Sequence, residues 1–371
     1  MGSSDQDIKV ENFKPGDCID ERWIVEKLLG VGGCASVYQV KDAITNSINA
    51  MKVEMAAQQM QILKFEMIVM MELNKLNDRH VCKVVGGGKN ATFCYIVMTL
   101  VGENFFNVLN SLRRKSAGKE RPKFSARSSV FLALNSLEAL QDLHECGYLH
   151  RDVKPQNFAI GRAPDYRKVY ILDFGMCRKY VKDDGTLRRP RERCAFRGTL
   201  YFASVDALRG EEQCRKDDVW SWFFMMVRLS TGTIAWKGYV PPKHVPLPKQ
   251  LEEYSNVKEI ALNDIKEFCK HCPEEFCNIG EHLKTLGYTD KPNYELCYEN
   301  LNAINKRMGL EDLPLDWEPH QKQQEEKQQE HKQQEEKQQE HKQQEQIPTD
   351  QEQKKDKEQK PDDVVPKPQD P

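Results

Sequence analysis

His150-Arg151-Asp152-Val153-Lys154-Pro155-Gln156-Asn157, followed by Asp173-Phe174-Gly175, decides how the rest of this chain is read. The stretch is flanked by apolar Tyr148-Leu149 and Phe158-Ala159-Ile160, so its charges are anchored against a core and are not a solvated turn. From Asp152 to Asp173 is 21 residues, room for a loop, a short hairpin and a return. The hairpin would bring the two carboxylates back to one place. An acid to accept a hydroxyl proton, an amide and a carboxylate to hold Mg²⁺, and a cation to offset negative charge are then within one interval. Those are the parts that phosphoryl transfer requires.

Upstream, Leu29-Gly30-Val31-Gly32-Gly33-Cys34-Ala35-Ser36-Val37 lies between two expected strands. Glycines there let backbone N–H groups approach phosphate oxygens with no side chain in the way. Taken alone, the loop reads equally well as a plain hairpin turn. Lys52 follows Ala50 in the next expected strand. A helix over Gln58 to Leu76 then places Ile62, Glu66, Met70 and Leu73 on one stripe, so Glu66 is expected on a buried face. A buried carboxylate is costly without a cation, and Lys52 is its expected partner.

The chain has 371 residues and a formal net charge of −2. That length allows two lobes and an appendage. Near-neutral charge gives no reason to expect nucleic acid or a membrane surface as partner. Met1 to Pro15 is polar, without a secretory apolar segment, and no stretch holds enough apolar residues to span a bilayer. The twelve cysteines are scattered and read as free thiols of a reducing compartment. Cys272 and Cys277 beside His271 lack the second Cys pair of a zinc site, and read as core thiols.

Strands are expected at Trp23–Val25, Val37–Val40, Asn49–Val53 and Tyr95–Met98. Long helices are expected at Ser128–Cys146 and Asp217–Ser230. A sheet-rich first part and a helical second part make an α+β design of two lobes. Composition breaks near Trp317: His320 to Gln346 repeats Gln, Glu, Lys and His with a ten-residue period and no apolar residue. It has no a/d seam for a coiled coil and nothing to bury. The expected division is residues 1–22 as an N-terminal extension, 23–317 as the globular domain (about 23–98 and 99–317 as its lobes), and 318–371 as a low-complexity, disordered tail.

The order H-R-D-x-K-x-x-N then D-F-G, with G-x-G and a valine upstream, is that of protein kinases. Residues Trp23 to Trp317 resemble a protein kinase of the casein kinase 1 group, most closely its tau-tubulin kinase-like branch. The residues that carry this are Lys154 to Gly161, His80-Val81-Cys82-Lys83, Phe196-Arg197-Gly198-Thr199, and Ala203-Ser204-Val205-Asp206 where most kinases have A-P-E. The resemblance implies a bilobal kinase fold. It implies Asp152 as base, Lys154 as the cation on the transferred phosphoryl group, and Asn157 and Asp173 as Mg²⁺ ligands. ATP would be held by Leu29, Gly30, Val31, Gly32, Gly33, Val37, Ala50, Lys52 and Glu66. Met98 would gate the adenine pocket, with Leu100 in the hinge. Asp218 would brace the catalytic loop from below. Lys154, two residues after the aspartate, goes with serine/threonine rather than tyrosine acceptors.

Three departures from the family stand out. Cys34-Ala35 stands where Phe-Gly is usual. If position 35 required φ > 0, Ala would cost about 1 kcal/mol there. Tyr201 replaces an arginine that helps bind anions beside the substrate, and Asp206 replaces an asparagine. Arg178 to Arg197 carries eight basic residues against three acidic ones, which suggests acidic protein substrates. The resulting expectation is a monomeric, ATP- and Mg²⁺-dependent serine/threonine kinase of the cytoplasm, with the nucleus as a second compartment. The altered loop tip leaves open an alternative, a pseudokinase scaffold of little or no activity.

Overall fold

In the first part of the chain, alternation of buried and exposed residues produces strands, and their register sorts the side chains onto two faces. The computed structural model describes residues 13–32, 35–56, 62–76, 79–115, 121–239 and 244–318. The strands are β1 (Cys18–Ile19), β2 (Trp23–Val31), β3 (Ala35–Asp42), β4 (Ile48–Met55), β5 (Val84–Lys89) and β6 (Phe93–Thr99). They form one antiparallel sheet in the order β1-β2-β3-β4-β6-β5. One face carries Trp23, Val25, Tyr38, Val40, Met51, Val53, Tyr95 and Val97, which bury one another in a core of their own. Phe13 closes this core edge-on against Tyr38 and Phe93. Part of the expected N-terminal extension is therefore built into the sheet, at Phe13 and at β1. Its residues 1–12 lie outside the described residues.

The other face carries Gly30, Val37, Ala50, Lys52 and Met98 in neighbouring register: Gly30 opposes Val37, Val37 opposes Lys52, and Ala50 opposes Met98. Helix α1 (Ile62–Leu76) packs against this face with Leu63, Glu66, Val69, Met70 and Leu73 buried. The expected helix start at Gln58 falls outside the described residues.

The rest is helical apart from short strand pairs: α2 (Phe105–Lys115), α3 (Ala126–Glu145), β7 (Tyr148–Leu149), β8 (Phe158–Ile160), β9 (Val169–Ile171), β10 (Arg178–Lys179), α4 (Val205–Leu208), α5 (Arg215–Thr231), α6 (Leu247–Leu262), α7 (Ile265–Phe268), α8 (Glu275–Lys284) and α9 (Tyr294–Arg307). Helix α3 starts where Ser125 accepts from the Ser128 N–H, and α5 where Asp217 accepts from the Cys214 N–H. Helix α5 stops at Gly232, whose φ of 74° suits a residue without a Cβ. Its Val219, Trp222, Phe223, Phe224 and Met225 have no exposed surface, so α5 is the axis of this half. Each such side chain contributes about 1.5–3 kcal/mol by leaving water.

The two parts meet at the link after β6. There the Gly102 N–H donates to Ile160 (2.9 Å), the Ile160 N–H donates to Glu103 (3.0 Å), and Phe105 stacks on Phe158. Among the described residues no helix is long and apolar enough to cross a membrane, and every cysteine is a free thiol. The repetitive tail from residue 319 onward lies outside the described residues.

Candidate active site

The hairpin β8–β9 does what the 21-residue spacing called for. Phe158 pairs with Ile171, and the Leu172 N–H donates to the Asn157 carbonyl at 2.8 Å. The return brings Asp173 toward the sheet face described above. Lys52 Nζ lies 2.7 Å from Glu66 Oε2 and 3.1 Å from Asp173 Oδ1. Glu66, on the buried stripe of α1, thus meets its expected partner. Glu66 is buried, whereas the Asp173 side chain remains 47% exposed.

Burial works against the Lys52 ammonium, but Glu66 and Asp173 together hold it above its ordinary range. Burial likewise pushes the Glu66 carboxyl up, opposed by Lys52. At Asp173 burial is outweighed by Lys52, assisted by His150 and Lys154, and the carboxyl sits below its usual range. A half-open, ionised carboxylate beside a fixed ammonium is a place for a cation and an anion to meet.

A second group forms around Asp152. Its Oδ2 accepts from Lys154 Nζ at 2.6 Å, and its Oδ1 accepts from the Thr199 hydroxyl at 2.7 Å. Lys154 Nζ also reaches Thr199 Oγ1 at 3.3 Å. Asn157 Nδ2 donates to the Asp152 carbonyl (2.9 Å) and to Oδ2 (3.3 Å). Both of its N–H groups are thus committed, and the group it has left for a metal is the amide oxygen, a hard donor suited to Mg²⁺.

The loop between these groups is held in an uncommon backbone state. Arg151 and Asp173 have φ of 67° and 64°, a left-handed conformation costing about 1–3 kcal/mol for residues with a Cβ. Asp218 offsets it by accepting from the His150 N–H (2.7 Å), the Arg151 N–H (2.8 Å) and His144 Nε2 (3.0 Å). Burial would raise the Asp218 carboxyl, yet these donors hold it below the usual range. This is the brace from below that the resemblance implied. Gly198 has φ of 118°, and a Cβ there would lie 2.6 Å from the Arg151 carbonyl, so only glycine lets Thr199 reach Asp152.

Of the expected cradle, Val37, Ala50 and Met98 line the sheet face that bears Lys52, and Leu100 packs half-buried against the larger core. Leu29 and Val31 are exposed, as are Gly30 and Gly32. A Cβ on Gly30 would meet nothing, one on Gly32 only the Ala35 carbonyl at 3.5 Å, and neither φ is positive. Packing does not demand glycine at either place, which leaves room for a ligand's approach as the reason for it. Gly33 and Cys34 lie outside the described residues. Ala35 is a regular β3 residue opposite Glu54 and does not have a positive φ, so the strain considered for it does not arise.

Several contributors were not legible in sequence. Glu54, two residues beyond Lys52 on the same strand face, is buried and accepts from the Leu63 N–H at 2.9 Å, fixing the start of α1. A strand glutamate normally reads as a surface residue. Asp206 pairs with Lys216 at 2.7 Å, which gives that departure a structural role. Tyr201 is half-buried, its ring edge-on to Phe202 and its carbonyl accepting from Trp236 Nε1 at 2.9 Å. The basic run is partly neutralised from outside: buried Glu212 pairs with Arg178 and Arg191.

Comparison with known proteins agrees with this chemistry. The protein kinase domain family matches residues 23–283. A probable serine/threonine-protein kinase of Dictyostelium discoideum is 35% identical over 309 residues, 82% of this chain and 58% of that one. The chain thus spans less than two thirds of that relative's length. The serine/threonine-protein kinase spe-6 of Caenorhabditis elegans is 33% identical over 312 residues, 82% of this chain and 78% of that one. A putative casein kinase I of the same nematode is 30% identical over 320 residues, 85% of this chain and 89% of that one.

Proposed function

We propose that this chain, a member of the protein kinase family, is a serine/threonine kinase that transfers the γ-phosphoryl group of MgATP to protein hydroxyls through Asp152, Lys154, Asn157, Lys52 and Asp173. The observation that carries the assignment of roles is the position of Lys52. It joins the sheet to the Asp173 turn through contacts of 2.7 and 3.1 Å to two carboxylates. An ammonium so firmly fixed beside a half-open carboxylate suits a multiply charged anion.

The donor set fits the nucleotide and its metal. The Asp173 carboxylate and the Asn157 amide oxygen would hold Mg²⁺, and Lys52 would hold phosphate oxygens beneath the Gly30–Gly32 backbone. Bound magnesium neutralises and orients the phosphate oxygens. The protein's own share is positioning and proton transfer. Asp152 takes the proton of the acceptor hydroxyl. Lys154, 2.6 Å from Asp152, supplies positive charge where negative charge builds. Glu66 keeps Lys52 aimed, and Asp218 keeps the loop in its left-handed turn. The scaffold alternative drew on the altered loop tip, and Ala35 gives it no support.

Within the family, the casein kinase 1 group and its tau-tubulin kinase-like branch are our proposed placement. It is supported by the A-S-V-D segment, Lys154 to Gly161 and the putative casein kinase I relative. Acidic acceptors are proposed as substrates, because Lys182, Arg188, Arg189, Arg193 and Arg197 stay exposed after Glu212 has taken Arg178 and Arg191. The test is incorporation of phosphate from ATP by purified protein, with Asp173→Asn alongside. Incorporation above that variant is expected, and equality would leave a scaffold. Peptide arrays in which basic acceptors do as well as acidic ones would sink the substrate reading.

A further inference from the structure

Lys258 is the one lysine of the described chain with no exposed surface, and no carboxylate compensates it. It sits on α6. Its Nζ donates instead to two backbone carbonyls, Leu200 at 2.9 Å and Ala203 at 2.5 Å. Three rings enclose it, with Nζ 4.8 Å from the Trp236 centroid, 5.2 Å from Phe224 and 5.8 Å from Tyr254. Burial drives its pKa well below the ordinary lysine value. Placing a lysine there is expensive unless its donors are needed where they point.

They point at one turn. Within it the Phe202 and Ala203 N–H groups both donate to the Thr199 carbonyl at 3.0 Å. Trp236 Nε1 takes the Tyr201 carbonyl at 2.9 Å. The turn's carbonyls at 200, 201 and 203 are therefore all held from the helical half. Its first residue, Thr199, places its hydroxyl 2.7 Å from Asp152 Oδ1. Backbone geometry in this turn thus sets where the wall beside Asp152 stands.

We propose that Lys258 is a positioning residue for the protein acceptor: by tying the Leu200 and Ala203 carbonyls to α6 it fixes the Thr199–Ala203 turn against which the acceptor hydroxyl is presented to Asp152. The inference rests on the kinase reading above. It concerns only the acceptor side, since among the described residues Lys258 touches neither the Lys52–Asp173 group nor the glycine loop.

The test is Lys258→Met in the full chain, which keeps most of the length of the side chain and removes its donors. The KM for an acceptor peptide should rise about tenfold, the equivalent of the two lost hydrogen bonds. The KM for ATP and the slow ATP hydrolysis without peptide should stay within about twofold of wild type. Amide exchange at Phe202 and Ala203 should speed up, and Lys258→Gln, which retains a donor, should fall between. Parallel losses of peptide phosphorylation and ATP hydrolysis, or an unchanged peptide KM, would overturn the proposal. If Lys258→Met does not fold, Trp236→Phe removes the neighbouring tie to Tyr201, and an unchanged peptide KM there would equally overturn it. A wild-type protein that phosphorylates no acceptor would remove the kinase reading and the acceptor role with it, while the amide-exchange comparison would still decide whether Lys258 fixes the Thr199–Ala203 turn.

Discussion

The nucleotide side and the acceptor side of this site are made from different materials. Lys52, Glu66, Asp173 and Asn157 act through their side chains, and each functional atom belongs to a residue whose type is dictated by the chemistry. On the acceptor side, beyond the side chains of Asp152 and Lys154, the geometry of the wall that faces the acceptor is main-chain. The carbonyls of Leu200, Tyr201 and Ala203 are held by Lys258 and Trp236 from α6 and the loop before it. Ser204 and Asp206 are then fastened to Asp217 and Lys216 at the start of α5. A side-chain site is intolerant at its own positions. A main-chain site shifts that intolerance to distant residues that never touch a reactant.

The largest effect expected from this contrast is at Asp152. Asp152→Asn keeps the shape of the side chain and removes the proton acceptor, so kcat should fall by about 10²–10⁴. The unfolding midpoint should hardly move. Initial rates with saturating ATP and peptide check this, and a rate within about tenfold of wild type would remove Asp152 from its role as base. Lys52→Met should cost about 10²–10³ in kcat. It should also cost stability, about 3–5 kcal/mol, because it strands the buried Glu66 carboxylate. Adding Glu66→Leu should restore stability and leave activity lost. A double variant as unstable as Lys52→Met would mean that the pair is not the buried unit described.

The same contrast explains what was legible in the sequence. The sheet and the long helices follow from alternation and stripe, and the Lys52–Glu66 partnership follows from the four-residue steps of one helix. These are local patterns joined to a chemical demand. Strand β5 was not foreseen, because Val84-Val85-Gly86-Gly87-Gly88 has the composition of a loop. Its glycines are there for packing, since a Cβ on Gly86 would lie 2.8 Å from the Trp23 ring. Lys258 and Glu54 were invisible for a related reason. A lysine in a polar helix and a glutamate in a strand ordinarily face water, and only the fold shows that these two are buried and aimed at backbone. Asp206 looked like an unexplained replacement until α5 brought Lys216 beside it.

Moving to the acceptor side, Ser204→Ala tests a smaller effect and one that depends on pH. The buried Ser204 hydroxyl donates to Asp217 Oδ1 at 2.6 Å, and the Cys214 N–H donates to Oδ2 at 2.7 Å. Burial outweighs these donors and pushes the Asp217 carboxyl up to about 6 from its ordinary 3.8. A carboxyl raised on folding binds its proton more tightly in the native state. Its contribution to stability is therefore full below the unfolded pKa and declines as pH rises through about 6. The Ser204 hydroxyl stabilises the ionised form, so its loss should cost more at pH 7 than at pH 5, about 1.5–3 kcal/mol at the higher pH. Denaturant unfolding of wild type and variant at both pH values checks it. Asp217→Asn should flatten the difference. An equal cost at the two pH values would show that Asp217 is already ionised at the lower one.

The smallest effect should come from Asp206, and its smallness is what the contrast requires. Asp206 and Lys216 form a direct pair at 2.7 Å, but their side chains retain 29% and 17% of their exposure. Solvent therefore screens the attraction, and such pairs are worth about 0–1 kcal/mol. The backbone beside Asp206 is already fixed by Ser204 capping the Ala207 N–H at 3.1 Å and by Lys258 on Ala203. Asp206→Asn should thus leave the peptide KM within about twofold and lower stability by no more than about 1 kcal/mol. A double-mutant cycle with Lys216→Met isolates the pair from other losses. A coupling above about 2 kcal/mol, or a peptide KM raised as far as in Lys258→Met, would mean that a surface ion pair positions the acceptor segment. The acceptor side would then be a side-chain site like its neighbour, and the buried lysine would be one tie among several equals.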